Sequence, residues 1–160
     1  MLKALFPGSF DPPTNGHLNV IQRICDVYDE IYVVVADNPS KSYAFDAAER
    51  VEMMRELVDP FPNTKVHLWD KLVVRFAEQV GARIMVRGVR ALADFNYEFE
   101  LSMINKGLSP RVETIFVPTD PQFFVLRSSA IKELARLGGD ISKMVPKSVA
   151  DRLYAKYATS

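Results

Sequence analysis

Residues 7–17, which read PGSFDPPTNGH, join an apolar run from Leu2 to Phe6 to a segment whose apolar residues recur at helical spacing. The Pro-Gly pair is expected to end the run as a β-strand, because both residue types interrupt regular structure. Thr14 and Asn15, at the other end, are residue types that cap helices. The inward stripe of that helix is predicted to consist of Val20, Ile21, Ile24 and Tyr28. We interpret residues 7–17 as the loop of a strand–loop–helix unit.

The rest of the chain repeats this alternation of strand-like and helical patterns, which is typical of a parallel α/β sheet. Further strands are predicted at 31–36, 65–69, 83–87 and 114–117. A further helix is predicted from Asp46 onward, because Asp46 followed by Glu49 is a capping-box-like start. Other helices are predicted from Leu72 to Val80, from Asp94 to Lys106, from Ser128 to about Leu137 and from Pro146 to about Tyr157. We therefore predict a single domain, 1–160, of the α/β class: a doubly wound five-stranded parallel sheet with C-terminal helices.

The composition narrows the possible partners and compartment. Lysine plus arginine and aspartate plus glutamate number 20 each, and this balance argues against a protein that chiefly binds nucleic acid or an anionic membrane. The lone cysteine, Cys25, excludes an intrachain disulfide and fits a reducing compartment. The apolar runs are too short to cross a bilayer, and the N-terminal residues do not read as a signal peptide. We expect a cytoplasmic protein.

Four loops that follow predicted strands carry the residue types that bind phosphate. In open α/β sheets, ligands bind beyond the carboxyl ends of the strands, so these loops should meet at one edge of the sheet. Their candidate residues are Ser9, His17, Lys41, Arg87, Arg90, Arg127, Ser128 and Ser129. This convergence predicts a site for phosphorylated ligands.

His17 falls in the first turn of the first predicted helix, on the same face as Val20 and Ile21. Free backbone N–H groups and the helix dipole favour an anion there and disfavour a cation. We therefore expect a neutral imidazole that donates one hydrogen bond, with Gly16 beside it allowing the backbone to approach a nucleotide. The alternative is a histidine that only completes a helix start.

The other candidates also have structural alternatives. Arg87 and Arg90 can bind phosphate through paired hydrogen bonds, or they can form ion pairs with Asp94 or Glu98. Lys41 can equally be a solvated loop lysine. One of the two serines, Ser128, is expected to cap the following helix.

Several other activities lack their signatures in this sequence. The dinucleotide-binding Gly-x-Gly-x-x-Gly, the P-loop and the Gly-x-Ser-x-Gly elbow do not occur after a strand. With two histidines and one cysteine, no protein metal cluster is proposed.

The Thr-Asn-Gly-His motif at 14–17, after PGSFDP at 7–12, resembles the signature of the nucleotidylyltransferase superfamily. Within that superfamily the chain resembles the bacterial phosphopantetheine adenylyltransferases, through PSK at 39–41, RGVRA at 87–91, DFNYE at 94–98, and Ser128-Ser129 followed by Lys132-Glu133. The resemblance spans essentially the whole chain and implies a Rossmann-like nucleotidyltransferase fold. It also implies transfer of AMP from ATP to 4'-phosphopantetheine by direct in-line attack, giving dephospho-coenzyme A and pyrophosphate.

The resemblance assigns roles by matching position. The expected catalytic residues are Ser9, His17 and Lys41. The expected ATP-binding residues are Ser9, Phe10, His17, Gly88, Val89, Arg90, Glu98, Phe123, Phe124, Val125, Leu126, Arg127, Ser128 and Ser129. The expected acceptor-binding residues are Ser9, Lys41, Val73, Arg87, Tyr97, Leu101 and Asn105. Arg127 departs from the family pattern, which commonly has a small hydroxyl residue there.

The resemblance further implies Mg²⁺ bound with ATP, a homo-hexamer, and feedback inhibition by coenzyme A. A different acceptor, such as nicotinamide mononucleotide or glycerol phosphate, is the nearest alternative for the activity. A nucleotide-binding regulator without catalysis is a second alternative, from another class of protein.

Overall fold

A computed structural model describes residues 1–123 and 127–158. Its central feature is one parallel sheet whose five strands lie in the order β3-β2-β1-β4-β5. The strands are β1 (Lys3–Gly8), β2 (Glu30–Ala36), β3 (Thr64–Trp69), β4 (Ile84–Val89) and β5 (Glu113–Pro118). The predicted five-stranded parallel sheet is confirmed.

Six α-helices and one short 3-10 helix accompany the sheet in the described part of the chain. They are α1 (Asn15–Cys25), α2 (Ala47–Val58), α3 (Val73–Val80), α4 (Leu92–Leu108), α5 (Ser128–Arg136) and α6 (Lys147–Ala158), with the 3-10 turn at Pro121–Phe123. The six α-helices were predicted to within a few residues, whereas the 3-10 turn was not predicted. None of the described helices has the length and apolar character needed to span a membrane.

Both faces of the sheet are covered, as predicted for a doubly wound fold. Phe6 and Val33 point to the face on which α1 and α2 pack. Leu5 and Val34, their neighbours in sequence, point to the opposite face, where Phe76 of α3 packs. This alternation explains why the second strand is apolar throughout: it is buried on both sides. A third apolar cluster joins α5 and α6 to α2 and to Phe45, which precedes α2.

The first strand differs from the prediction because Pro7 and Gly8 belong to it. They pair with Val34 and Val35 of β2. On its other side β1 pairs with β4 only at Ala4 and Leu5. Because β1 has no partner on that side beyond Leu5, the missing N–H of Pro7 costs the sheet no hydrogen bond there.

The separation of β1 from β4 opens the sheet where the strand order reverses. Connections run outward from β1 in one direction through β2 and β3, and in the other through β4 and β5. Such a reversal leaves a crevice beyond the carboxyl ends of the two central strands. The crevice brings the four predicted phosphate-binding loops to one edge of the sheet.

Candidate active site

Two cavities, of about 530 and 700 Å³, lie at the carboxyl ends of β1 and β4. The first extends towards β2 and α3, and the second towards α1 and α5. They share a wall formed by Pro7, Gly8, Ser9, Lys41, Arg87, Tyr97 and Glu98. We call the first the β2-side cavity and the second the α5-side cavity. Two ligands, one in each cavity, would meet at the shared wall.

The β2-side cavity contains every residue that was expected to bind the acceptor. These residues are Ser9, Lys41, Val73, Arg87, Tyr97, Leu101 and Asn105. The sequence reasoning did not single out Trp69, Asp70 or Lys71, which also line this cavity. They directly follow or end β3, so the rule that ligands bind after strands would have found them.

The α5-side cavity contains eight of the residues that were expected to bind ATP. These residues are Ser9, His17, Gly88, Arg90, Glu98, Arg127, Ser128 and Ser129. Phe10, Val89 and Phe123 line neither cavity. Phe124, Val125 and Leu126 lie outside the described residues.

The side chain of Phe10, which was expected to bind ATP, is only 1% exposed and lies behind the site. Its backbone has a φ of 50°, which turns the chain back under Gly8. Its ring packs edge-on against His17, with 5.0 Å between the ring centres. The side chain of Phe10 therefore supports the imidazole, and contact with a ligand at this residue is limited to its backbone.

His17 occupies the third position of α1 and completes a reciprocal cap. The Thr14 hydroxyl accepts the His17 backbone N–H at 3.2 Å, while the Thr14 backbone N–H donates to His17 Nδ1 at 3.0 Å. A backbone N–H can only donate, so Nδ1 is the unprotonated nitrogen. The ring proton of the neutral form is therefore on Nε2, in a side chain that lines the α5-side cavity.

The charge state of His17 agrees with the expectation of a neutral imidazole. Burial, followed by the positive charges of Arg90 and Arg87, lowers its pKa from 6.5 to about 4. Burial is thus the main cause, ahead of the helix end on which the sequence argument relied. At neutral pH the imidazole acts as a hydrogen-bond donor without a charge.

Arg87 ends in the crevice and is fully engaged there. Its Nη1 donates to the Pro7 carbonyl at 2.5 Å and so bridges the gap between β4 and β1. Its Nε and Nη2 form a two-pronged ion pair with Glu98 of α4, at 2.7 and 2.6 Å. The ion pair named as the alternative from sequence is therefore present, and Arg87 also lines both cavities.

Arg90 has the same kind of partner one turn earlier on α4. Its guanidinium contacts the two carboxylate oxygens of Asp94 at 3.0 and 3.2 Å. Burial alone would raise the pKa of Asp94, but the hydrogen bonds and charge of Arg90 outweigh it and lower that pKa. A bound phosphate would compete with a carboxylate at each arginine, or share the guanidinium with it.

The start of α5 differs from the prediction that Ser128 caps it. Arg127 is the capping position, without a side-chain hydrogen bond to the helix. The Ser128 hydroxyl instead donates to the Pro12 carbonyl at 3.0 Å and ties α5 to the first loop. The capping geometry could not be inferred because the contact with Pro12 spans 116 positions in sequence.

Two glycines at the site serve mainly for close packing. A Cβ at Gly88 would lie 3.1 Å from a methyl group of Val20, so glycine there lets α1 pack closely on β4 without displacing that side chain. Gly16 is buried against Thr14 and Phe123 and also lines the α5-side cavity.

Sequence reasoning missed two buried charges behind the site. The Asp11 carboxylate accepts the backbone N–H groups of Ala44 and Phe45 at 2.9 Å, and Lys132 Nζ at 2.8 Å. Arg50, on α2, is completely buried. The position of Arg50 among apolar residues was the available signal, since an arginine is rarely buried without partners.

Comparison with known proteins identifies the class of protein first. A family model described as cytidylyltransferase-like matches residues 5–134. The solved structure of a putative nicotinate-nucleotide adenylyltransferase from Vibrio parahaemolyticus has a TM-score of 0.71 and 21% identity, covering 100% of this chain and 98% of that chain. At this identity the likeness shows a shared fold. The molecule is a nucleotidyltransferase of the cytidylyltransferase-like class.

Curated relatives narrow the class to a family. Phosphopantetheine adenylyltransferase of Dictyoglomus turgidum is 44% identical over 157 residues, 98% of each chain. The enzymes of that name from Caldanaerobacter subterraneus and Treponema pallidum are 42% and 44% identical, over 100% and 98% of each chain. The chain belongs to the phosphopantetheine adenylyltransferase family, which confirms the resemblance inferred from its motifs.

Proposed function

We propose that this protein transfers AMP from ATP to 4'-phosphopantetheine and releases pyrophosphate. The observation that carries the proposal is the wall shared by the two cavities, which holds Ser9, Lys41 and Arg87. An acceptor phosphate in one cavity and the α-phosphate of ATP in the other would meet at these residues. Family membership supports the same pair of substrates.

The reaction needs no nucleophile from the protein. An oxygen of the acceptor phosphate attacks the α-phosphorus of ATP, the bond from that phosphorus to the bridging oxygen breaks, and pyrophosphate leaves in line. The protein contributes positioning and charge stabilisation, which dominate phosphoryl-group transfer. No covalent enzyme intermediate is required.

Three side chains are proposed to act at the reacting phosphorus. His17 donates its Nε2 proton in a hydrogen bond to the α-phosphate, where negative charge builds up in the transition state. Lys41 offers an ammonium group from the wall common to both cavities. Ser9 contributes its hydroxyl and backbone N–H at the end of β1.

The β2-side cavity suits a long acceptor with one charged end. Lys41 and Arg87 lie at the shared wall and would hold the phosphate. Val73 and Leu101 provide apolar contacts farther in, while Asn105 and Tyr97 offer polar groups for the amides of a pantetheine arm. The same cavity would accept the pantetheine arm of coenzyme A, which supports the proposed feedback inhibition.

ATP is proposed to lie in the α5-side cavity with its phosphates between Arg90 and the start of α5. The first backbone N–H groups of a helix have no partners within it and attract an anion. Ser128, Ser129 and Arg127 line this end of the cavity. Arg127 thereby adds a positive charge at the place where relatives commonly have a small hydroxyl residue.

Mg²⁺ is proposed to enter with ATP. Mg²⁺ commonly binds through substrate phosphates and one or two carboxylates, and keeps several waters. Residues 1–123 and 127–158 contain no group of three or more acidic, histidine or cysteine ligands that could hold a metal by themselves, so the donor set fits a metal carried mainly by ATP phosphates. When bound, Mg²⁺ would neutralise charge on the pyrophosphate leaving group.

The assembly is proposed to be a homo-hexamer, as the resemblance implies. Helix α4 supports an interface because none of its residues is buried. Its exposed apolar side chains include Leu92, Tyr97, Phe99, Met103 and Ile104. An apolar surface of this kind is typical of a contact with another protein chain.

The lone thiol at Cys25 supports a reducing compartment, and we propose the cytoplasm.

The activity is tested by measuring pyrophosphate release from Mg-ATP with 4'-phosphopantetheine, nicotinamide mononucleotide or glycerol 3-phosphate as the acceptor. We expect release with phosphopantetheine alone, and dephospho-coenzyme A detected by mass. Release with another acceptor would keep the class and overturn the proposed substrate. The absence of release with all three would favour a nucleotide-binding regulator.

A further inference from the structure

Arg50 lies within α2 and its side chain has 0% exposure. Its neighbours Val51, Met53 and Met54 are buried in the apolar core. An arginine in such surroundings loses its hydration, and only well-placed hydrogen bonds can offset that loss. The partners of Arg50 therefore indicate why an arginine is present where an apolar residue would pack readily.

Those partners belong to separate segments of the chain that meet at the site. Arg50 Nη1 donates to the carbonyl oxygens of Ser9 and Ala36, both at 3.0 Å. Nη2 contacts Asp37 Oδ1 at 2.5 Å, and Nε donates to the Phe45 carbonyl at 3.1 Å. One planar group thus connects the loop after β1, the end of β2 and the residue before the α2 cap.

Lys41 lies in the segment 37–45, between two of these connections. Within residues 1–123 and 127–158 its side chain forms no hydrogen bond or ion pair. Its position in the free protein therefore depends on the backbone of the segment. The backbone N–H of Lys41 donates to the Asn38 carbonyl at 2.9 Å.

Arg50 also acts on that segment through Tyr43. The Tyr43 ring stacks on the guanidinium of Arg50, 3.9 Å from its central carbon. The Tyr43 hydroxyl accepts the backbone N–H of Asn38 at 2.9 Å. A continuous series of contacts therefore runs from Arg50 through Tyr43 and Asn38 to the backbone of Lys41.

We propose that Arg50 is a positioning residue that sets the placement of Lys41 relative to Ser9. The inference rests on the proposed function, because it takes the reaction to occur at the wall that Ser9 and Lys41 share. The planar fork of an arginine holds several oxygens in fixed directions, whereas a lysine offers one compact ammonium group. A purely structural Arg50 would stabilise the protein without a specific link to Lys41.

The test is a double-mutant cycle of Arg50→Lys with Lys41→Ala, measured as kcat and as KM for both substrates. We expect Arg50→Lys to lower kcat by about tenfold or more, because small misplacements of reacting groups are costly. In the Lys41→Ala background the same change should alter kcat by less than about twofold, since coupled residues are not additive. KM for ATP should change little.

Thermal unfolding of each variant separates this effect from lost stability. Met53→Ala is the matched control, because Met53 is equally buried on the same helix and lines neither cavity. We expect Met53→Ala to lower Tm at least as much as Arg50→Lys and to leave kcat unchanged. An equal loss of kcat from Arg50→Lys in both backgrounds, or an unchanged kcat in a folded Arg50→Lys protein, would overturn the proposal.

Should Arg50→Lys fail to fold, Tyr43→Leu replaces it in the cycle, because it interrupts the same contacts without burying a charge alone. A loss of kcat that occurs only when Lys41 is intact supports the proposal. Equal losses of kcat with Lys41 intact and with Lys41→Ala overturn it. The wild-type acceptor panel keeps the two proposals distinguishable. If another acceptor supports turnover, the proposed substrate is wrong, but the role of Arg50 can still be tested by measuring the cycle with that acceptor. A protein that is inactive with all three acceptors would overturn both the proposed function and the role of Arg50.

Discussion

Two helices of this molecule begin with the same reciprocal cap, yet only one of them lies at the site. In α1 the pair is Thr14 and His17; in α2 it is Asp46 and Glu49. In both caps, the side chain of the first residue accepts a hydrogen bond from the backbone N–H of the second residue. The side chain of the second residue accepts one from the backbone N–H of the first. The pattern of capping hydrogen bonds is the same in the two places, and both capping residues have an extended backbone.

The two caps differ in the side-chain groups that remain available after the capping hydrogen bonds are made. Glu49 also forms an ion pair with Lys156 of α6 and lines neither cavity. His17 uses Nδ1 for the cap and keeps a proton on Nε2, at a cavity that contains Arg87 and Arg90. A histidine at this position therefore provides the structural cap and an uncharged donor together. A carboxylate there would repel a phosphate.

The largest effect on activity is expected when His17 of the α1 cap is replaced by glutamate, the residue type at the same position of the α2 cap. His17→Glu keeps an acceptor for the Thr14 N–H, but it removes the Nε2 donor and adds a negative charge. Loss of one such donor costs about 10²- to 10³-fold in turnover, and charge repulsion adds to this. We expect kcat/KM for ATP to fall by at least about 10³-fold, in a protein whose Tm is lower because the new carboxylate is buried but which is still folded at the assay temperature. Turnover above a tenth of wild type would contradict the proposed role of His17.

His17→Ala is expected to lower kcat by about 10²-fold or more, through loss of the donor. Its matched control is Glu49→Ala, which removes the equivalent partner from the α2 cap. Both changes should reduce the free energy of unfolding by about 1 kcal/mol, but only His17→Ala should slow turnover. Steady-state kinetics and denaturant unfolding check the pair, and equal kinetic effects would show that the two caps are alike in function.

Arg87 is a charged donor at the same site as the uncharged donor of His17, and a different kinetic effect is expected from its loss. Its proposed contact with the acceptor phosphate exists before the transition state, so its loss should affect binding more than chemistry. Hydrogen bonds to charged groups contribute about 1.5–3 kcal/mol, and we expect Arg87→Ala to raise KM for the acceptor by about 10- to 10²-fold. KM for ATP should change less. An unchanged acceptor KM would exclude this role.

The first residues of the two caps provide a smaller test. Thr14→Ala and Asp46→Ala each remove a side-chain acceptor and should cost about 1 kcal/mol of stability. If the whole of that energy affected the orientation of His17, kcat of Thr14→Ala would fall by about fivefold, whereas kcat of Asp46→Ala would not change. A larger loss of kcat for Asp46→Ala than for Thr14→Ala would contradict the functional difference between the two caps.

The smallest expected effect is the pH response of His17 in the working range. Because its pKa in the folded protein is about 4, its charge should appear only as the pH falls through that value. Titration of the ring by NMR in the free protein should find the midpoint there, and a midpoint near 6.5 would contradict the burial argument. Between pH 6.5 and pH 4, His17 binds a proton in the unfolded chain but not in the folded protein. Protonation of His17 therefore lowers the free energy of unfolding as the pH falls from 6.5 to 4.

The comparison of the two caps also shows how far the sequence could lead. The Asp46–Glu49 cap was predicted from its spacing, and so was the neutral state of His17, although burial rather than the helix end is its main cause. Loops at strand ends were predicted to converge, and Lys41, Arg87 and Ser9 do share a wall. These inferences succeeded because caps are local and because parallel strands point their carboxyl ends in one direction.

Contacts between distant segments could not be predicted in this way. The placement of the Phe10 ring behind His17 was not predicted, and it arises because a backbone turned to positive φ directs the ring into the core. Ser128 was expected to cap its own helix but contacts Pro12. Asp11 and Arg50 were not assigned any role, although each connects several loops. Sequence spacing carries no information on which distant carbonyl a side chain will reach.

The class of fold, the family and the set of side chains available for chemistry follow from the sequence alone, because alternation of apolar runs and local motifs depend on neighbours along the chain. How those side chains are used depends on the tertiary structure. It separated β1 from β4 to open the crevice, paired Arg87 and Arg90 with carboxylates of α4, and buried Arg50 beneath the loop that carries Lys41. These outcomes depend on burial and on hydrogen bonds across the fold, which arise only when segments far apart in sequence pack together.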